Sequence, residues 1–563
     1  MVAANEKVAD LLRRYATTLQ LEGVDRFKIK AYRRAADNIA ASDADVAKLA
    51  RSPAGLESIP GVGKAISAKV RDIVKTGTLP QLERASAKLP PELLELAEKP
   101  QLDPARVKRV YKKLQIKSLR ELRERLDSGE IRSVLGSRIE FHIRQGLDER
   151  PRMLHWAVRD LVTNFSKFVK ELPGISRIAV TGSHRRAKDT IGDVNYLVVA
   201  KNIPAVAKRI ANFPGVLSYK RLGKDQAIYR LSVGQHVTLR FTTEKEWGLS
   251  QLLSTGSSAH IDELKQALRS RHKTLSIKSL GTKAKTEAEI YRLAGLQLIE
   301  PHLREGRGEI EAAANNTLPT LIELANIRGD LHMHTTASDG ANTILEMAEA
   351  AHKKGYEYIA IADHSQSLKI TNGLSPKRLL QQCRVIDKVN VKLKGGITVL
   401  KSAEVDILED GKLDYPASVL KELDLTICSI HSKFALDKQT QTERLMRAMD
   451  NRYCNIIGHA TGRLLLRREG YEIDFERLVR HAIDCGCYFE INANPNRLDL
   501  SDEHARIAKD KGVKLAINTD AHSIRELDFM PAGINQAKRS WLEAKEVLNT
   551  FMLKQLTAAL SRT

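Results

Sequence analysis

From about residue 326 onward the sequence repeats one unit, a short apolar run followed by a helical pattern. The runs are GDLHMHT, YEYIAIADHS, ITVLKSAEVDI, LDLTICSIHS, CNIIGHA, CYFEINAN and KLAINTDAHS. Strand-length runs separated by helices call for parallel strands with crossover connections, and seven such units point to an α/β barrel-like domain. Almost every run ends in a side chain that can bind metal. His332 and His334 are two apart and so leave one face of a strand. Asp339 follows in the loop, and the later runs bring Asp363-His364, Glu404, His431, His459, Asp520 and His522. In α/β barrels chemistry gathers at the C-terminal mouth, where the strands converge and the loops are free to vary. Imidazoles and carboxylates without sulfur suit zinc, manganese or iron. Lys433 and Arg463, each just past a ligand-bearing strand, are expected to neutralise phosphate, and Asn492, Asn494 and Arg497 sit at another strand end.

Charge divides the chain. Lys and Arg number 91 against 69 Asp and Glu, a formal net of +22. Residues 321–563 hold 34 of those basic and 33 of those acidic side chains, which leaves 57 and 36, a net of +21, in residues 1–320. A near-neutral domain is tied to a strongly basic one, and the expected partner of the basic part is a polyanion. Five cysteines, an odd number, read as reduced thiols. The N-terminal stretch carries Glu6 and Asp10 with no apolar core, and no apolar run approaches a membrane span. The expectation is a cytoplasmic monomer that makes no membrane contact.

The fold expected is multidomain α/β. Residues 1–90 read as a helical domain and 91–150 as a second helical region with a very basic stretch. Residues 151–300 mix strands and helices, 301–325 form a polar, Pro-punctuated linker, and 326–563 carry the strand–helix repeat. IPGVGKAISAKVRDIV has helix-hairpin-helix form. Gly61 and Gly63 allow a tight turn whose N–H groups can face a DNA phosphate, with Lys64, Lys69 and Arg71 after it and Lys28 before it. A second hairpin near EKPQLDPARVKRVYKKL is degenerate, because Gln101 and Asp103 stand where glycines belong.

Residues ~325–560 resemble the PHP (polymerase and histidinol phosphatase) domain. The resemblance implies three divalent ions, zinc or manganese. One would be held by His332, His334, Glu404 and Asp520, a second by Glu404, His431 and His459, and a third by Asp339, His364 and His522. Together with GSHRRAKDTIGD, residues 1–320 resemble the X-family DNA polymerases, and the join to a PHP domain is that of the bacterial members. The resemblance implies an 8-kDa-like domain over 1–90, a fingers-like region over 91–150 and a palm and thumb over 151–300. Gly182, Ser183 and Arg186 would hold the incoming nucleotide's phosphates, and three palm carboxylates would hold two magnesium or manganese ions. Only the first carboxylate, Asp193, is present; Asn195 and Thr238 fill the other two positions. Leu253 and Ser254 replace the aromatic pair before the thumb. Lys69 matches the Schiff-base lysine of relatives that remove deoxyribose phosphate, although a DNA-phosphate contact is the other reading, and Tyr32 matches a tyrosine near that pocket.

The expected function is DNA repair. A metal-dependent 3′→5′ exonuclease or phosphoesterase in the PHP domain would act on gapped, nicked or 3′-recessed DNA, with templated synthesis lost or very weak. Phosphatase action on 3′-phosphates and cleavage at abasic sites use the same metals. Three alternatives stand beside this reading: an active gap-filling polymerase with an associated exonuclease, a non-catalytic DNA-binding scaffold, and a small-molecule phosphomonoesterase of the histidinol-phosphatase type.

Overall fold

The computed structural model describes residues 2–40, 42, 44–52, 55–98, 103–116, 118–136, 139–140, 143–144, 147, 152–231, 235–271, 279 and 284–562. The chain forms two compact units, Met1–Pro151 and Arg152–Thr563.

In the first unit, helices Val2–Glu22, Arg26–Ala40 and Lys64–Thr76 enclose a core that includes Leu12, Tyr15, Tyr32, Ile39, Val62, Ile66 and Val70. The turn before the third helix needs its glycines. Gly61 has φ +83°, a left-handed conformation that costs other residues energy. Gly63 caps the helix, and no side chain accepts a hydrogen bond from its first N–H groups. A second core gathers Leu21, Leu93, Val107, Val110, Leu122 and Ile131. There Asp103 caps helix Pro104–Leu114, accepting from the N–H groups of Ala105 (2.8 Å) and Arg106 (3.2 Å). A carboxylate on those donors fills the place a phosphate would take. Gln101 lies outside the described residues.

The second unit opens with a two-stranded ladder, β1 (Met153–Leu154) on β3 (Thr190–Ile191). A mixed five-stranded sheet contains β2 (Ile175–Thr181), β4 (Asp193–Ala200), β5 (Val216–Leu222), β6 (Gln226–Leu231) and β7 (His236–Thr242). Its order is β2-β4-β7-β6-β5, with β4 and β7 parallel. Alternation sends Val194, Tyr196, Val198, Val237 and Leu239 into one core with Phe165 and Val169 of helix Arg159–Lys170. Asp193, Asn195 and Thr238 therefore lie on the opposite face.

His184, in the turn after β2, brings its ring to 4.4 Å from that of His155, which directly follows β1. Burial, then the charge of His155, pushes His184 down to about 4. A folded value below the free imidazole value of about 6.5 means that the unfolded chain takes a proton the native state refuses. This contribution to stability is complete above about pH 6.5, is lost as pH falls, and levels off below about 4. His184→Gln is expected to flatten that slope in denaturation curves taken across the same window.

Eight parallel strands build the remainder: β8 (Gly329–Met333), β9 (Tyr358–Ile361), β10 (Thr398–Lys401), β11 (Glu404–Asp406), β12 (Ile427–Ser429), β13 (Ile456–Ile457), β14 (Tyr488–Asn492) and β15 (Leu515–Asn518). They form two runs, β10-β9-β8 and β11-β12-β13-β14-β15. Bridges Met333–Ala521 and His364–Glu404 join the runs at both edges. Since β10 and β11 are consecutive pieces of one stave, the eight strands make the seven staves of a closed barrel.

Segment 301–325, expected as a linker, carries helix Glu309–Ala314 and buries Leu303, Ile310, Ala313 and Ile322. Leu303 and Ile310 share a core with Trp541 from beyond the barrel strands. Glu305 binds Arg186 (2.9 Å) and Arg539 (2.8 Å), all three nearly buried. Its polarity is spent on internal ion pairs, which composition cannot tell from solvent exposure. No described helix is long and apolar enough to cross a membrane.

Candidate metal centre and palm cavity

Every stave but the β14 stave delivers a donor to the barrel mouth. Period two turns both His332 and His334 inward from β8, and both are fully buried. Glu404, at the start of β11, is the hub. Its carboxylate lies 2.7 Å from His364, 2.9 Å from His459, 3.3 Å from His431, 3.6 Å from His332 and 3.7 Å from His334. Asp520 stands 3.1 Å from His334 and 3.7 Å from His332. Asp339 meets His364 at 3.7 Å and His522 at 3.6 Å on the more open side. Donor atoms converge within 4.8 Å in three overlapping groups: His334, Asp339, His364 and His522; His332, His334 and Glu404; His364, Glu404 and His431.

Burial disfavours charge on all of these groups, and neighbouring charges overcome it for Glu404, Asp520, His431 and His522 but not for His334. Burial opposes ionisation of Glu404, but His431, His364 and His332 hold it well below the usual carboxylate range. Asp520 is likewise held well below, against burial, by His332 and His334. His431, despite burial, rises to about 9 beside Glu404 and Asp406. His522 also rises to about 9, against burial, through Asp339 and Asp520. His334 falls to about 4 through burial and the charges of His364 and His522.

Two carboxylates that the sequence does not mark, Glu490 and Asp406, orient the rings, and Asp363 of the Asp363-His364 pair stands behind the site rather than in it. Glu490 lies 2.7 Å from His332 Nδ1 and accepts the N–H of His459 (2.9 Å) and the amide of Asn518 (3.0 Å). Asp406 lies 2.6 Å from His431 Nδ1. Asp363 accepts from the backbone and hydroxyl of Thr335 and from Ser338 and Gln382, fixing the loop that carries Asp339. A carboxylate on Nδ1 leaves Nε2 free to bind metal. His332 Nε2 and Glu404 Oε2 are buried and have no hydrogen-bond partner. Such atoms are costly to leave unpaired, and a divalent ion would satisfy them. The donor set fits divalent metal.

The cations expected to hold phosphate part company. Arg463 binds Leu498 O and meets Asp189 at 3.3 Å. Lys433 pairs with Glu409 at 3.1 Å and is half exposed. Arg497 reaches the centre, 3.4 Å from Asp520. Asn492 donates to Glu490 and to Asp520, both at 3.1 Å.

On the mixed five-stranded sheet, Asn195 and Thr238 are paired across β4 and β7, and Asn195 Nδ2 donates to Asp193 Oδ1 at 2.9 Å. A neutral donor thus covers the one carboxylate left. Among the described residues no group of three metal-capable side chains gathers there. A cavity of about 390 Å³ remains, lined by Gly182, Arg186, Asn195, Thr238, Arg240 and Ser254 among others. Arg186 is committed to Glu305 and to Thr255 O (2.8 Å); Ser183 sits half-buried in the same turn and is not among the lining residues. In the first unit Lys69 Nζ lies 5.7 Å from the centroid of the buried Tyr32 ring and donates to Ala65 O, while Lys28 and Lys64 are exposed.

Family models match at two places: a helix-hairpin-helix domain over residues 3–79 and a PHP domain over residues 330–494. A probable phosphatase of Thermoanaerobacter sp. (strain X514) is 32% identical over 39% of this chain and 89% of its own. One of Caldanaerobacter subterraneus is 31% identical over 39% and 86%. DNA polymerase/3′-5′ exonuclease PolX of Bacillus subtilis (strain 168) is 36% identical over 98% of both chains. A likeness that runs from the helical hairpin through the palm sheet to the barrel mouth places this chain in the family of bacterial X-family DNA polymerases that carry a PHP domain.

Proposed function

We propose that this protein is a metal-dependent 3′→5′ exonuclease and phosphoesterase of DNA repair in the cytoplasm, working at the barrel mouth on gapped, nicked or 3′-recessed DNA. The observation that carries the reading is the nine-donor centre around Glu404, with His332 and His431 oriented by buried carboxylates, in a chain whose full-length relative is named a DNA polymerase/3′-5′ exonuclease. Three divalent ions, zinc or manganese, would be held by His332, His334, Glu404 and Asp520; by Glu404, His431 and His459; and by Asp339, His364 and His522. When bound, such ions generate hydroxide near neutral pH and stabilise charge on phosphate oxygens. Glu490 and Asp406 hold the ring tautomers, and Arg497 offers the phosphodiester a cation beside Asp520.

The same reading makes the palm a relic for synthesis. Two ions against a triphosphate need anionic ligands, and Asn195 and Thr238 supply none. The helix-hairpin-helix turn, with Lys28 and Lys64, delivers DNA; Lys69 serves as a phosphate contact or as a lyase residue. Lys28→Ala/Lys64→Ala is expected to weaken binding of duplex DNA and to lower the slope of log affinity against log salt by about two. The matching phosphatases favour a second reading, hydrolysis of a small phosphomonoester, against which stands the net charge of +21 on residues 1–320.

The test is a labelled primer on a one-nucleotide-gapped template with Mn²⁺, with and without dNTPs, using wild type and His332→Ala/His334→Ala. Shortening by wild type alone, without extension, is the expected result. Extension that survives the double substitution would mean the palm works without two carboxylates and would end the relic reading. Turnover of free phosphomonoesters with no attack on DNA would favour the phosphatase.

A further inference from the structure

Away from the barrel mouth, two helices of the barrel's outer layer end side by side. Helix Lys438–Met449 stops at Asp450, and helix Phe475–Cys485 stops at Gly486. His481 and Cys485 are four apart and so share one face of the second helix. Cys485 Sγ lies 3.5 Å from His481 Nε2 and 3.7 Å from Asp450 Oδ1, and His481 Nε2 lies 2.8 Å from Asp450 Oδ1.

We propose that Asp450, His481 and Cys485 form a separate binding site for a soft divalent cation, best matched by zinc. A tetrahedral zinc with about 2.3 Å to sulfur and about 2.0–2.1 Å to nitrogen and oxygen sets its ligand atoms about 3.3–3.6 Å apart. Two sides of the observed triangle are already near that spacing. The third, His481 to Asp450, is a hydrogen bond that opens by about 0.5 Å to admit an ion of this geometry. The surroundings favour positive charge independently. Both helices point their C-terminal, negative ends here, and Met446 O lies 3.2 Å from His481 Nε2. Arg562, the nearby cation, is occupied with the carbonyls of Met449, Asn451 and Cys454 and with Cys487 Sγ (3.1 Å). Cys487 is thereby engaged, and Cys485 is left as the thiol facing His481. On binding, the thiol proton leaves to solvent and the imidazole carries its proton on Nδ1. Asp450 is more than half exposed, so water can complete the fourth position. The site would pin two helix ends and take no part in hydrolysis.

Sulfur separates this site from the barrel mouth, whose donors are nitrogen and oxygen. The full-length apoprotein titrated with Co²⁺ should develop a thiolate-to-cobalt charge-transfer band. Cys485→Ser and His481→Ala should each abolish the band and lower bound cobalt by one equivalent, while primer shortening persists. Asp450→Asn, a change at an exposed side chain, should weaken cobalt binding at this site about tenfold or more. Three outcomes would overturn the proposal: no band in wild type at saturating cobalt, a band that survives His481→Ala, or a band removed by Cys487→Ser and kept in Cys485→Ser. Unchanged affinity in Asp450→Asn would do the same, even if Cys485→Ser failed to fold.

Discussion

Glu404→Ala is expected to lower the rate of 3′-end shortening by on the order of 10³-fold or more, which is about 4 kcal/mol of transition-state stabilisation. Among the described residues no other carboxylate reaches five of the clustered histidines, so its loss breaks every donor group at the barrel mouth but the one built on Asp339. The rings left behind are buried close to one another, and burial, then the charges of His364 and His522, already lowers His334. Asp339 belongs to one donor group, with His334, His364 and His522 on the more open side, so Asp339→Ala should cost less. Metal content by elemental analysis, alongside primer shortening, checks the ranking. Equal loss in the two variants, or a Glu404→Ala enzyme as fast as wild type, would remove Glu404 from the centre of the site.

The second large effect is on stability. Glu287, nearly buried, takes Arg185 in a two-bond fork (2.9 and 2.6 Å) and also binds Arg304, which is 1% exposed. Burial opposes the charge of Glu287, but the two guanidinium groups hold its carboxyl below the usual range. Glu287→Ala strands the buried Arg304 and takes a partner from the partly buried Arg185, and breaking such an arrangement costs about 3–5 kcal/mol. All three tryptophans, Trp156, Trp247 and Trp541, lie in the second unit, so their fluorescence reports its unfolding alone. The midpoint in denaturant should fall sharply in Glu287→Ala. Replacing Glu287 and Arg304 together with apolar residues of similar volume should recover part of the loss. A midpoint unchanged in the single variant would mean that the pair contributes nothing net.

Two kinds of information are separated by this chain. What repeats locally was readable: a period of two turns His332 and His334 to one side of a strand, and a strand–helix rhythm counts seven staves. The hairpin turn was readable for the same reason, since Gly61 answers a conformational demand made within a few residues. The carboxylates behind the candidate metal centre were not. Glu490 in CYFEINAN and Asp406 in SAEVDI look like any acid in an apolar run, and only their meeting with His332, 158 residues away, and His431, 25 residues away, gives them a role. The same holds for the cations. Arg186 and Arg463 sit where phosphate ligands are expected, yet Glu305 and Asp189, 119 and 274 residues distant, engage them instead. Asn195 and Thr238 could be read as missing carboxylates from sequence, but not that Asn195 turns its amide onto Asp193. Residue type and spacing determine which side chains leave one face of a strand. Which charges become buried, and which partner each then needs, depends on desolvation, and desolvation is fixed only when distant segments close around them.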